Sequence, residues 1–396
     1  MITAFLGELL FHASGLEMSF YRCTNNCAYC FANTKGGEER NPQLKSIDSF
    51  IRTASARNTL EADLFNAGYP ICISNSSDPF TPKNWRITEQ FVKLLDNFEN
   101  GIFFQTKTGE GLEEVLDAIG ARRDRLFYIT MTCSDDGVSK IVEPGAPVLE
   151  KRIETAILLA KMGFGVVIGF NPYVEKWMPK NALVDVCRRL VENGVRDFFF
   201  QPMFMTNRRF QELPVARQKR FSGFENESVP EYCKSYDRWF AMYQSIFEVL
   251  EQVENANPFT VQTVNSSPFE LYQSKFYKTM PLASEFMTWA VENPKTEYTF
   301  EDFWNVITAC APEFFERPHN GIDRYIIAKA RDLWRGHPEN QNMTSYRKLL
   351  RLMWNYPHKF VCSPAGCCFM KVVRRDENGD FTLALTEEPT FIKEIV

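Results

Sequence analysis

The chain has 396 residues, 44% of them hydrophobic, with 35 Phe and a formal net charge of −5. This composition supports a large aromatic core and argues against non-specific nucleic-acid binding by the whole surface, while leaving room for a local basic groove. No apolar run reaches the roughly 18 residues of a membrane span. The opening stretch MITAFLGELLFHASG lacks a basic flank and carries Glu8, so it does not read as a signal peptide.

Strands and helices alternate from the start. SFYRC (Ser19–Cys23) reads as a strand that ends at a cysteine loop, and Ser46 suits the cap of a helix SIDSFIRTASARN. Next come a strand YPICISN (Tyr69–Asn75), a helix ITEQFVKLLDNF with helical spacing of Phe91, Leu94, Leu95 and Phe98, and a strand GIFFQTK (Gly101–Lys107). The helix GLEEVLDAIGA, the strand LFYITMT (Leu126–Thr132) and the helix PVLEKRIETAILLAKMG continue the pattern, the last opening on proline and stopping at Gly163. FGVVIGF and RDFFFQPM are two more strands, separated by the helix ALVDVCRRLVENG. Six apolar strands linked by helices predict a parallel sheet, with the chemistry at the strand C-terminal ends. An open partial barrel suits six units better than a closed eightfold one.

The pattern changes near residue 220, which divides the chain into a β/α region, 1–220, and a mostly helical region, 221–396. Helices are expected over YCKSYDRWFAMYQSIFEVLEQVENAN (Tyr232–Asn257), ASEFMTWAVEN, TFEDFWNVITAC, IDRYIIAKARDLW and MTSYRKLLRLMW. The tail FMKVVRRDENGDFTLAL reads as a β-hairpin turning at Asn378-Gly379.

The 11 Cys show no regular disulfide spacing and read as thiols of a reducing cytoplasm. Three of them, Cys23, Cys27 and Cys30, form a C-x3-C-x2-C triplet in a polar loop. A disulfide would leave one over. Structural zinc wants four ligands, and no nearby Cys or His completes the set. Structural thiols are the plain alternative. The remaining option is a [4Fe–4S] cube on three thiolates, whose fourth iron keeps a position open for a small molecule.

Here the sequence resembles the radical S-adenosylmethionine (radical SAM) superfamily, whose signature C-x3-C-x-aromatic-C is matched by Cys23-Thr-Asn-Asn-Cys27-Ala-Tyr29-Cys30. The resemblance implies an α/β fold, a partial (β/α)6 radical SAM barrel followed by the helical C-terminal region and terminal hairpin. It implies a [4Fe–4S] cluster on those cysteines and SAM chelated to the open iron. It also implies an external electron donor such as flavodoxin or ferredoxin, and a 5′-deoxyadenosyl radical that takes hydrogen from substrate. SNSSDPFTP, FQTKTG and EPGAPVLEKR, in this order at or just after strand ends, are similar to loops of spore photoproduct lyase and its DNA-repair-photolyase-like relatives. Carried over where the motifs match, that likeness puts Ser76, Ser77 and Asp78 at the SAM amino group or methionine moiety and Lys107 at its carboxylate. Thr130 and Thr132 fall at the ribose or carboxylate, Arg152 completes the carboxylate clamp, and Tyr29 packs by the adenine.

Each has a plainer reading: Asp78 caps a turn before Pro79, Lys107 is a solvated loop charge, and Arg152 pairs with Glu150 or Glu154. Where the lyase pattern has a hydrogen-returning cysteine, this chain has Asn75, and strand alternation puts nearby Cys72 on the other face. Repair of a spore thymine dimer is therefore not the expected reaction.

HKFVCSPAGCCFM holds His358, Cys362, Cys367 and Cys368. These residues suit a second metal centre or a thiol hydrogen donor, or else small buried thiols beside a Pro364–Gly366 turn. The run TNRRFQELPVARQKRF sets Arg208, Arg209, Arg217, Lys219 and Arg220 among Phe210 and Phe221, which suits a phosphate backbone with unstacked bases, or a solvated helix face. Three functions stay open: hydrogen abstraction from a nucleobase or nucleic-acid substrate, a radical SAM reaction on a peptide or small metabolite with an auxiliary centre at Cys362, Cys367 and Cys368, and a non-enzymatic zinc-binding interaction protein.

Overall fold

The structure, a computed structural model, describes residues 16–18, 23–30, 65–66, 68, 70–73, 77–203, 210–211, 213–221, 245–260, 282–318, 323, 345–355, 364–366 and 370–386. The chain divides into two compact units. One comprises Glu17–Ile51 and Pro70–Phe259, the other Met1–Leu16, Arg52–Tyr69 and Thr260–Val396.

The first unit is built on a sheet whose strands lie in chain order: β1 (Leu16–Met18), β2 (Ile71–Ile73), β3 (Ile102–Thr106), β4 (Arg125–Thr130), β5 (Gly165–Tyr173), β6 (Asp197–Pro202) and β7 (Asn257–Thr260). Every pairing from β2 to β6 is parallel. The intervening helices are α1 (Trp85–Leu95), α2 (Leu112–Ile119), α3 (Asp136–Val142), α4 (Leu149–Lys161), α5 (Lys180–Glu192) and α6 (Val215–Phe221). Parallel strands must be joined by long crossovers, and these helices supply them. The result is the expected α/β partial barrel.

Burial on both sides explains the near-continuous apolar strands. Register fixes two aromatic layers. Cys72 pairs with Phe103 and Phe103 with Leu126, so these share a face with Tyr128, Thr130, Gly169 and Phe199. Phe103, Tyr128, Phe199 and Phe259 meet along it at ring separations of 5.5–6.1 Å. Gly169 makes room for this layer, because a Cβ there would lie 2.1 Å from the Tyr128 hydroxyl. The opposite face stacks Phe104 on Phe127 at 4.7 Å and sets Phe164 edge-on to Phe127.

Two elements differ from the sequence reading. The first strand lies at Leu16–Met18, and Cys23 is already outside a strand. The strand β7 was not expected, since NPFT is short and carries Pro258. Proline is tolerated in a strand at an edge, and β7 is the last strand in the sheet order.

In the second unit the described helices are α7 (Leu282–Glu292), α8 (Phe300–Cys310), α9 (Pro312–Glu316) and α10 (Tyr346–Asn355). Thr299 starts α8 with a reciprocal cap: its hydroxyl accepts from Asp302 N, and Asp302 accepts from the Thr299 N–H at 2.9 Å. Phe286, Phe303 and Trp354 pack at 5.5 Å, and the Trp354 indole donates to the Phe381 carbonyl at 2.7 Å. The hairpin is present as β8 (Met370–Arg375) and β9 (Phe381–Leu385), with Gly379 at a φ of 80° in the turn. Pro364–Gly366 forms a 3-10 turn. His358, Cys362, Cys367, Cys368, Ser76, Asn75, the Ser46 helix, the helix over IDRYIIAKARDLW apart from Asp323, and the first half of the helix predicted at 232–257 lie outside the described residues; its described half is helical only over 245–250 and gives way to turns before β7.

Candidate cluster and cofactor site

The cysteine loop follows β1. Cys23, Cys27 and Cys30 are free thiols, Cys27 buried and the other two half-buried. Ala28 is fully buried against Trp177, Val142 and Phe221, which anchors the loop in the apolar core. Asn26 takes a φ of 48°, a left-handed conformation that Asn tolerates better than most residues. Burial pushes the Cys23 and Cys27 thiols up. Asp78 adds to the rise at Cys23, and Cys27 reaches about 12 even though Lys107 opposes it. Thiols become thiolates when they ligate a cationic metal centre, so uptake of one by this loop would release protons.

The chain from Val142 to Gly145 lies against this loop backbone to backbone. Ala28 N donates to the Val142 carbonyl at 2.8 Å and Gly145 N to the Asn25 carbonyl at 3.1 Å. A Cβ on Gly145 would stand 2.3 Å from the Thr24 carbonyl oxygen, so the glycine of EPGAP is what permits the approach.

Between them Glu143, 1% exposed, points into a buried polar knot. Its Oε2 accepts from Arg152 Nη2 at 2.6 Å, and its Oε1 lies 3.6 Å from Lys107 Nζ. The Tyr29 hydroxyl donates to the same oxygen. With that proton committed, Thr132 Oγ1, 3.2 Å away, is the donor to Tyr29. Burial alone would raise the Glu143 carboxyl, but Arg152 and then Lys107 outweigh it and bring the group down to about 2. Burial also opposes the charge on Lys107, yet Cys27 and Glu143 hold its ammonium above the ordinary lysine value. Burial and the Glu143 charge raise the Tyr29 phenol well above its usual range. Lys107 Nζ also sits 5.6 Å from the Tyr29 ring centre, and that ring tilts against Trp177.

Arg152 reaches further. Its Nη1 donates to the Thr130 carbonyl at 2.9 Å and its Nε to the Pro147 carbonyl at 2.8 Å, so three protein acceptors hold the guanidinium. Neither Glu150 nor Glu154 is among them; Glu150 pairs with Arg189 and Glu154 with Lys151.

Asp78 forms a second knot. Its Oδ2 accepts from Asn25 Nδ2 at 3.0 Å and Lys107 N at 2.8 Å. Its Oδ1 accepts from Thr106 Oγ1 at 2.8 Å and Phe80 N at 3.0 Å. One carboxylate thus joins the cysteine loop, the end of β3 and its own SDPF turn. Ser77 beside it is half-buried.

Of the residues singled out in the sequence, Tyr29, Lys107 and Arg152 converge on Glu143, with Thr132 joined through Tyr29 and the Thr130 carbonyl through Arg152. Glu143 itself was missed as a site residue. Its signal was an acid flanked by apolar residues and Pro-Gly in IVEPGAP, where a solvated turn would not need one.

The donor set fits an iron–sulfur cube. Among the described residues no group of three His, Cys, Asp or Glu side chains is close enough to chelate one ion. Thiolates on separate corners of a cube stand further apart than ligands of a single metal, and the free cysteines have a half-buried cation, Lys107, beside them.

Residues 19–175 match the family model of the Radical SAM superfamily. Residues 19–175 therefore carry a Radical SAM domain, and that superfamily uses a [4Fe–4S] cluster and S-adenosylmethionine. Among solved structures it is similar to Streptococcus suis SuiB bound to S-adenosylmethionine, at 14% identity and a TM-score of 0.42, over 61% of this chain and 49% of that one. It is also similar to a spore photoproduct lyase double mutant with bound AdoMet and dinucleoside spore photoproduct, at 16% identity and 0.44, over 62% and 76%. A third is anSMEcpe with bound AdoMet, at 12% and 0.39, over 67% and 65%. The chain spans about half the length of SuiB. No curated protein matches it. No helix among the described residues is long and apolar enough to cross a membrane.

Proposed function

We propose that the protein abstracts hydrogen from a nucleobase or nucleic-acid-derived substrate, using a [4Fe–4S] cluster on Cys23, Cys27 and Cys30. When bound, the cluster and SAM together supply the reducing electron and the 5′-deoxyadenosyl radical. The chain's own residues do the rest. Lys107 presents an ammonium beside the cysteine loop, suited to the SAM carboxylate. Glu143 keeps that ammonium charged and in place, Arg152 in turn fixes the Glu143 carboxylate, and Tyr29 offers a ring edge to a flat base. Ser76, Ser77, Thr130 and Thr132 are candidates for the methionine and ribose groups, and Asp78, beside Ser77, ties the SDPF turn to the cysteine loop and the end of β3.

The observation that carries this reading is the ion pair of half-buried Lys107 with buried Glu143, placed against three free thiols. The nucleic-acid assignment is supported by the likeness of SNSSDPFTP, FQTKTG and EPGAPVLEKR to the spore photoproduct lyase branch. Anaerobic incubation with deuterated oligonucleotides tests it: label in 5′-deoxyadenosine supports the substrate class. Cys23→Ala, Cys27→Ala and Cys30→Ala should each abolish 5′-deoxyadenosine formation.

One observation favours a second reading, a peptide or small-metabolite substrate. Arg217 and Arg220 of the basic run contact the protein's own cysteine loop, and Phe210 and Phe221 are buried core, so these four do not support a nucleic-acid groove. Under that reading Cys362, Cys367 and Cys368 form an auxiliary centre, and reconstituted protein holds about eight irons instead of about four.

A further inference from the structure

The helix α6 reaches back some 190 residues to the cysteine loop. Arg220 Nη2 donates to the Asn26 carbonyl at 2.5 Å and to the Val142 carbonyl at 3.1 Å, and its Nε donates to the Ile141 carbonyl at 2.7 Å. Arg217, 6% exposed, donates from Nη2 to Asn26 Oδ1 at 3.2 Å. Asn26 lies between Cys23 and Cys27 and carries the positive φ of the loop. Val142 in turn accepts from Ala28. One guanidinium therefore bridges the carbonyls of the loop and of the segment packed against it, while its neighbour holds the side chain of the strained residue. Phe221, next in the helix, is buried against Ala28 in the same core, which fixes the helix end that presents both arginines.

We propose that Arg217 and Arg220 are positioning residues for the iron–sulfur cluster: they lock Asn26 in its left-handed turn and so hold Cys23 and Cys27 toward one common space. The inference rests on the assignment of the three cysteines as cluster ligands. It adds a role for a basic helix that the sequence alone offered to nucleic acid. A lysine at 220 keeps the charge but has no planar fork to span three carbonyls. A glycine at 26 keeps the turn without the side-chain anchor, whereas a β-branched residue opposes the turn itself.

The test compares anaerobically reconstituted wild type, Arg220→Met, Arg220→Lys, Asn26→Gly and Asn26→Val. The readouts are iron and sulfide per chain, the rate of iron loss to a chelator, the electron paramagnetic resonance spectrum of the reduced cluster, and circular dichroism of the cluster-free protein. Loss of outer contacts to a metal site typically costs on the order of tenfold or more in retention. Arg220→Met and Asn26→Val should lose iron faster by about that factor with unchanged circular dichroism. Arg220→Lys and Asn26→Gly should fall between these and wild type, and Arg220→Met should show a shifted resonance spectrum.

Iron retention and spectrum equal to wild type in both Arg220→Met and Asn26→Val would overturn the clamp. If Arg220→Met fails to fold, the Asn26→Gly and Asn26→Val pair decides, since equal retention by the two leaves the turn without a role. Wild type that takes up neither iron nor sulfide would instead sink the cluster assignment itself.

Discussion

Arg152 Nη2 lies 2.6 Å from Glu143 Oε2, and both side chains are all but excluded from solvent. A buried ion pair of this kind adds little over an apolar pair of equal shape, but removing one partner strands the other charge, at a cost of about 3–5 kcal/mol. Glu143→Gln leaves Arg152 and Lys107 without their shared anion, so denaturant unfolding of the cluster-free protein should show a loss of that order. The pH dependence follows. The folded-state pKa of Glu143 is depressed to about 2 from an ordinary 4.5. Its contribution is therefore present above about pH 4.5 and is lost as pH falls toward 2. Over that window wild type should lose stability more steeply than Glu143→Gln. Parallel slopes would show that the carboxylate is not held ionised by Arg152, Lys107 and Tyr29.

Asp78 gives a different expectation from that of a cofactor ligand. Four protein donors fill its two oxygens, from the cysteine loop, β3 and the SDPF turn. Hydrogen bonds to a charged group contribute about 1.5–3 kcal/mol each before coupling. Asp78→Asn turns an amide toward donors, so it should lower the melting temperature of protein free of SAM and iron. A variant that melts like wild type and differs only in SAM binding would reassign Asp78 to the cofactor.

Much of this architecture was legible in the chain. The strands β2 to β6 follow from apolar runs bounded by Gly and polar loops, because a parallel strand covered on both faces must be apolar throughout. The three-cysteine loop stood out because thiols at that spacing have few other uses. The partners of each polar residue were not legible. Tyr29 finds Glu143 across 114 positions, and Asn26 finds Arg217 across 191. No local propensity encodes contacts of such separation; they follow from the order in which the strands assemble. For the same reason α6 read as a basic face for phosphate, since nothing in VARQKRF says that its arginines point inward.

Gly145 offers a test of backbone packing apart from charge. Its missing Cβ is what lets the Glu143–Gly145 turn lie on Thr24 and Asn25. In Gly145→Ala one of the two backbones must move, and the contact is with main chain, not with the flexible end of a side chain. Iron retention after reconstitution should fall while the second unit, with its own core of Phe286, Phe303 and Trp354, keeps its unfolding transition. Full iron retention would mean that the segment can withdraw without disturbing the cysteines.

Lys107 is where fold and cofactor chemistry separate most cleanly. Its backbone N–H is tied to Asp78, and its ammonium faces Glu143 and the Tyr29 ring. Replacing it with Met keeps the stem and the backbone bond but removes the charge. The cysteine loop retains its ties to Asp78, Val142 and Gly145, so iron content should be close to wild type. The SAM carboxylate would lose a charge-assisted partner, which predicts weaker SAM binding by about 1.5–3 kcal/mol, roughly tenfold to a hundredfold in equilibrium dialysis. Glu143→Gln should weaken SAM binding less than Lys107→Met, because it leaves the cation present but loosely held. If Lys107→Met instead binds SAM as wild type does, the carboxylate must be held by another group, and the Lys107–Glu143 pair is then a structural element of the barrel mouth.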